Sequence, residues 1–150
     1  MNDYNQCRWP QNAFAVWTVF VVVIFIASCS KGRPKYTDFT THDRKYYSEV
    51  AEGCETLLSQ TNSTTNWWIL NGDDKSLPDP LRKLNATKIE VAKRLPTDTA
   101  SLTGVTIIFG EGRGGFVVSW AQKDNVNSSG PWELSAMTET GGDKTVVFSK

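Results

Sequence analysis

The chain has 150 residues, with 16 Lys plus Arg against 16 Asp plus Glu, one His and three Cys. That length is one domain's worth of chain, and the balanced charge makes no electrostatic case for a nucleic-acid partner, which calls for a basic face. One His and dispersed Cys offer no zinc-ligand cluster, so neither a metal nor a cofactor is expected.

The first element is residues 13–27, AFAVWTVFVVVIFIA, 15 residues without a charge. A bilayer-crossing helix needs about 20 such residues, so the length suits the apolar region of a cleavable signal peptide, followed by small residues at the cut. Arg8 is the only basic side chain before the run, and Asp3 opposes it. The run closes on Ile26-Ala27-Ser28-Cys29, which resembles the lipobox of bacterial lipoproteins, with Ile26 where that family usually has Leu. The resemblance implies cleavage before Cys29, diacylglycerol on its thiol, palmitate-type acylation and a mature chain held on a bacterial membrane, facing the periplasm. Ser30 rather than Asp after Cys29 favours transfer to the outer membrane under the family's sorting rule. One acyl chain anchors only marginally and two or more hold stably, as a mature lipoprotein provides.

Two other readings of the run stand beside this one. An uncleaved anchor helix would be oriented by the basic KGRPK segment after it, placing an interaction domain in the cytoplasm. An ordinary secretory signal would be cut without lipidation.

The lipoprotein reading divides the chain into a signal peptide (1–28), a lipidated Cys and polar tether (29–41), and a single α+β domain (42–150). Cys7 leaves with the leader and Cys29 takes lipid. Cys54 then stands alone, and the mature chain can form no intramolecular disulfide.

Residues 43–60 have the strongest helical pattern. Tyr47, Val50, Ala51, Cys54, Leu57 and Leu58 recur at spacings of three and four, while Arg44, Lys45, Glu49, Glu52 and Glu55 fill the other side. Thr40 with Asp43 fits a capping box. Gly53 is costly inside a helix, by about 1 kcal/mol against Ala, and points to close approach by another element. Trp67-Trp68-Ile69-Leu70 is a short apolar run ended by the Asn71-Gly72 turn signal. Around Pro80 a helical turn is expected, with Asp79 as its cap and Leu81 and Leu84 pointing inward. Here Leu77-Pro78, Leu81-Arg82 and Leu84 resemble an LPxxLRxL-like segment of small bacterial proteins, set between a helix and a run of strands. That resemblance implies no activity.

From Lys88 the period becomes two. Ile89 and Val91, then Val105, Ile107 and Phe109, then Phe116, Val118 and Trp120, then Trp132, Leu134 and Ala136 alternate with other residues, and Val146 and Phe148 end the pattern. The expected fold is one amphipathic helix packed on an antiparallel sheet of four or five strands. No segment between strands is long enough for a parallel crossover.

Each candidate site has a structural counterpart. Gly110-Glu111-Gly112-Arg113-Gly114-Gly115 suggests an anion cradle with Arg113, and any enzymatic site would be sought here. A phosphate loop needs a helix after it, and a strand pattern follows instead, so a hairpin connection is expected. Trp67 and Trp68 are expected to pack in or against the core, as aromatics do in small domains; because neighbours on a strand face opposite ways, one can pack inward while the other stays exposed, and an exposed Trp there is the best partner-contact candidate, a stacking platform for a sugar or aromatic ligand. His42 sits at a tether–helix junction without a positioned partner. Cys54 lies on the apolar stripe, where burial makes a thiol inert. Asp73, Asp74 and Asp79 lack the spacing of a calcium loop. The expectation is therefore a non-enzymatic binding or structural module with no catalytic residues, held to the membrane by lipid on Cys29 and meeting a protein partner in the envelope.

Overall fold

The structure is a computed structural model that describes residues 32–60, 67–93, 103–110, 114–123 and 130–150. The leader, the lipobox with Cys29, and Arg113 lie outside the described residues. Arg33–Lys150 form one compact unit. Its elements in chain order are helices α1 (Tyr36–Phe39) and α2 (Arg44–Gln60), strand β1 (Trp67–Asn71), helix α3 (Asp79–Arg82), and strands β2 (Lys88–Ala92), β3 (Gly104–Phe109), β4 (Phe116–Gln122), β5 (Trp132–Thr138) and β6 (Lys144–Ser149).

The strands form a single antiparallel sheet whose spatial order is the chain order, β1-β2-β3-β4-β5-β6. The α+β architecture is as expected, but the sheet has six strands, not four or five. The additional strand is β1. It carries no hairpin signal toward β2, because α3 and its flanking turns intervene. Its pairing nevertheless sets Trp68 opposite Val91 and Leu70 opposite Ile89, and both pack against the core.

One face of the sheet is covered. Ile89, Val91, Val105, Ile107, Phe109, Phe116, Val118, Trp120, Leu134 and Ala136 are buried there beneath the α2 stripe of Tyr47, Val50, Ala51, Cys54 and Leu57. From Lys88 to Ala136 the expected alternation is the alternation observed. Each large apolar side chain buried this way contributes about 1.5–3 kcal/mol.

Around α2, three local readings change. Asp43 caps the helix by itself, accepting the Tyr46 N–H at 2.8 Å. Thr40 does not join it in a capping box; its hydroxyl donates to the carbonyls of Tyr36 and Thr37, closing α1 instead. Pro78 precedes α3, and Asp79 is helical and pairs with Arg82 rather than capping. The expectation for Gly53 holds: Leu81 and Pro80 of α3 press against it. Leu81 and Leu84 are both buried.

The folded domain also begins earlier than residue 42. Phe39, in the segment read as tether, is 0% exposed. Its ring lies within 6 Å of those of Tyr46, Tyr47, Phe109 and Phe116. Phe39, together with Tyr36 packed edge-on against Phe116, ties this four-residue helix to the core.

β6 contains a bulge. Leu134 pairs with Phe148, whereas Ser135 pairs with Val146, leaving Val147 as the extra residue. The bulge separates the two side chains that end the pattern, so Phe148 packs toward the core while Val146 is exposed.

Candidate functional site

Among the described residues no helix covers the second face of the sheet, and the register arranges its side chains in rows across the strands. One row runs Ile69, Glu90, Thr106, Ser119, Ser135, Val146, each opposite the next. The adjacent row runs Trp67, Ala92, Gly104, Ala121, Glu133. At about 4.8 Å between strands, the polar stretch from Glu90 to Ser135 is about 14 Å long.

The second row makes the groove. Ala92, Gly104 and Ala121 carry at most a methyl group, so the floor is low between Trp67 at one end and Glu133 at the other. Gly104 is also required by the backbone: a Cβ there would stand 2.8 Å from the Trp120 carbonyl oxygen. Two depressions, of about 230 Å³ beside Trp67 and about 650 Å³ toward Met137 and Val146, share Thr106, Ser119 and Ala121 and so adjoin along one shallow trough.

The rims are apolar. Trp67 (57% exposed), Ile69 (46%), Met137 (38%) and Val146 (49%) are the exposed large hydrophobic residues among the described residues. All four lie on this face, as their pairing with Ala92, Glu90, Val117 and Ser135 shows. At the foot of the groove Lys123 Nζ stands 4.0 Å from Glu133 Oε1, a long contact between an exposed lysine and a partly buried glutamate. No side-chain hydrogen bond or ion pair within the described residues engages Glu90, Thr106, Ser119 or Ser135. Their polar atoms are available to a ligand.

A second hollow, of about 400 Å³, lies between the start of α2 and the outer edge of β6, lined by His42, Arg44, Tyr47 and Phe148. Its side chains are already engaged. The Tyr47 hydroxyl donates to the Phe39 carbonyl at 2.6 Å and accepts the His42 N–H at 3.1 Å. The His42 ring stacks on Tyr46 with centroids 3.9 Å apart. The Arg44 guanidinium lies 5.6 Å from the centroid of Phe148. Burial pushes the Tyr46 phenol up to about 12, with Tyr47 adding to the shift. Burial also raises the Tyr47 phenol, partly opposed by the His42 N–H and reinforced by Asp43. Both are neutral phenols near pH 7 and cannot act there as bases.

The two tryptophans divide as strand geometry predicts. Trp67 is exposed on the groove rim, and Trp68 is half-buried against the core. Cys54 is buried in the α2 stripe, where desolvation, with a smaller contribution from Glu55, pushes its thiol strongly upward and away from nucleophilic use. The Asp74 carboxylate accepts the N–H and hydroxyl of Ser76 at 2.8 and 2.7 Å, bonds that hold it below the usual carboxylate range. Asp74 thus serves its own turn, and Asp79 serves Arg82. Residues 110–115 join the adjacent antiparallel strands β3 and β4, with Gly110 and Gly114 at φ of +79° and +104°. A strand follows the loop, so no helix N-terminus is supplied to an anion there.

Among the described residues, the groove residues Ala92, Gly104, Thr106, Ser119, Ala121 and Ser135 escape sequence reasoning. Each falls in the unburied phase of its strand, but only the register makes them neighbours. No protein-family model, curated protein or solved structure matches the chain.

Proposed function

We propose that the chain is a lipid-anchored binding module of the bacterial cell envelope, tethered through Cys29 and working without catalysis through the uncovered sheet face. One observation carries the binding role: the four exposed large hydrophobic residues of the described chain sit on one face, around a trough of small and hydroxylated side chains. Concentrated exposed apolar surface with a polar floor is the signature of a contact surface, because a sheet face left only to water gains nothing from it. The lipobox-like Ile26-Ala27-Ser28-Cys29 supplies the anchor in this reading.

Cells labelled with radioactive palmitate test the anchor. The wild-type chain takes up label and the Cys29→Ala chain does not; label persisting in Cys29→Ala overturns the anchor. Sedimentation with detergent-extracted envelopes tests the surface. Wild type is retained, and Ser119→Leu, which fills the trough, is released; equal retention of the two overturns the assignment of the face.

A further inference from the structure

We propose that the groove across β2, β3 and β4 binds a neutral, linear oligosaccharide, with one sugar ring stacked on Trp67 and the following rings laid over Ala92, Gly104 and Ala121. The proposal deepens the reading of this face as the working surface and names its ligand class.

A sugar ring has an apolar face of C–H groups and a rim of hydroxyls that both donate and accept. The groove answers both. The Trp67 indole is exposed at its head, where an aromatic face meets a C–H face. Thr106, Ser119 and Ser135 line its flank as directly paired residues, and each hydroxyl donates as well as accepts. Glu90 continues the row opposite Thr106 and accepts from ligand hydroxyls. The floor of Ala92, Gly104 and Ala121 raises no side chain against a chain of rings crossing the strands.

The charges select a neutral ligand. Among the described residues, Glu90 and Glu133 are balanced by Lys123 and Lys144 around the trough, so these four give neither an anionic nor a cationic polymer net attraction. The hydroxyl row selects against an apolar helix or an acyl chain, which would desolvate Thr106, Ser119 and Ser135 without replacing their hydrogen bonds.

Isothermal titration of the full-length chain, held in a polyoxyethylene detergent that carries no sugar, tests this with chitohexaose and cellohexaose as probes. Saturable binding of at least one is expected. Trp67→Ala weakens it about tenfold or more, Ser119→Leu abolishes it, and Lys45→Ala on the far side of α2 leaves it unchanged. Thermal melts establish that each variant is folded, and Trp67→Ala, an exposed site, keeps the test decisive if Ser119→Leu does not fold. Absence of binding by either sugar at millimolar concentration overturns the proposal, as does binding indifferent to Trp67→Ala. A dimer in light scattering that the groove substitutions dissolve also overturns it, by placing a second copy in the groove. The same titration in the Cys29→Ala chain separates failure of sugar binding from failure of lipidation.

Discussion

Gly53 of α2 and Leu81 of α3 meet so closely that a Cβ on Gly53 would stand 3.0 Å from Leu81 Cγ, and Leu81 would have to give by a few tenths of an ångström to admit it. The helix accepts a residue that costs it about 1 kcal/mol so that α3 can seat a fully buried leucine against it. Gly53→Ala is therefore expected to destabilise the domain by about 1 kcal/mol, strain outweighing the propensity gain. In a Leu81→Ala background the same substitution becomes neutral or stabilising. A double-mutant cycle in urea measures this reversal of sign.

Phe39 anchors the N-terminal edge of the domain in a cluster of four aromatic rings. Phe39→Ala is expected to cost about 3–5 kcal/mol, the range for a fully buried ring. Urea denaturation of the variant measures it. A cost below 1 kcal/mol would return residues 36–41 to the tether.

The paired tryptophans of β1 provide an internal contrast. Trp67→Ala is expected to change stability by about 0.5 kcal/mol or less, as for an exposed site. Trp68→Ala is expected to cost about 2 kcal/mol, since its half-buried ring packs on the core. Chemical unfolding of the two single variants separates surface function from core function in adjacent residues.

Alkaline pH should loosen the domain. Burial raises the folded-state titration of Tyr46 from 10.0 to about 12 and also raises those of Tyr47 and Cys54. For a group raised in the folded state, the stabilisation is complete below its unfolded value and is lost as pH climbs through its folded one. For Tyr46 that window runs from about pH 10 to about pH 12. Melting temperature should fall across it, and Tyr46→Phe should flatten part of the fall. A Tyr46→Phe profile superimposable on wild type would remove Tyr46 as a source.

Much of this fold is legible because apolar side chains repeat at the period of their element. Tyr47, Val50, Ala51, Cys54 and Leu57 mark the buried side of α2, and Ile89, Val91, Val105 and Ile107 mark the buried side of two strands. Gly53 is legible as a conflict within that pattern. Phe39 is not, because a lone ring in the polar stretch TDFTTHDR has no period to belong to. β1 is understated because its partner lies beyond α3 rather than across a tight turn. The groove is the least legible part. Period two assigns Ala92, Gly104 and Ala121 to a face, but their adjacency depends on how far each strand slides against the next. That slide is set by the fit of the whole core.

β6 and the residue after it also tie together parts of the domain that lie far apart in sequence. Every strand pairs with its neighbour in sequence, so hairpins can assemble as the chain is delivered. The links that close the structure do the opposite, joining its beginning to its end. Tyr36 shares a hydrogen bond with Thr145 at 3.1 Å, Arg44 lies over Phe148, and Lys150 Nζ meets Glu55 at 3.0 Å. β6 is thus a clasp between the two helices at the front of the domain and the far edge of the sheet. Loosening β6 is therefore expected to release α1 and the outer side of α2 together, although α2 keeps its packing on β3.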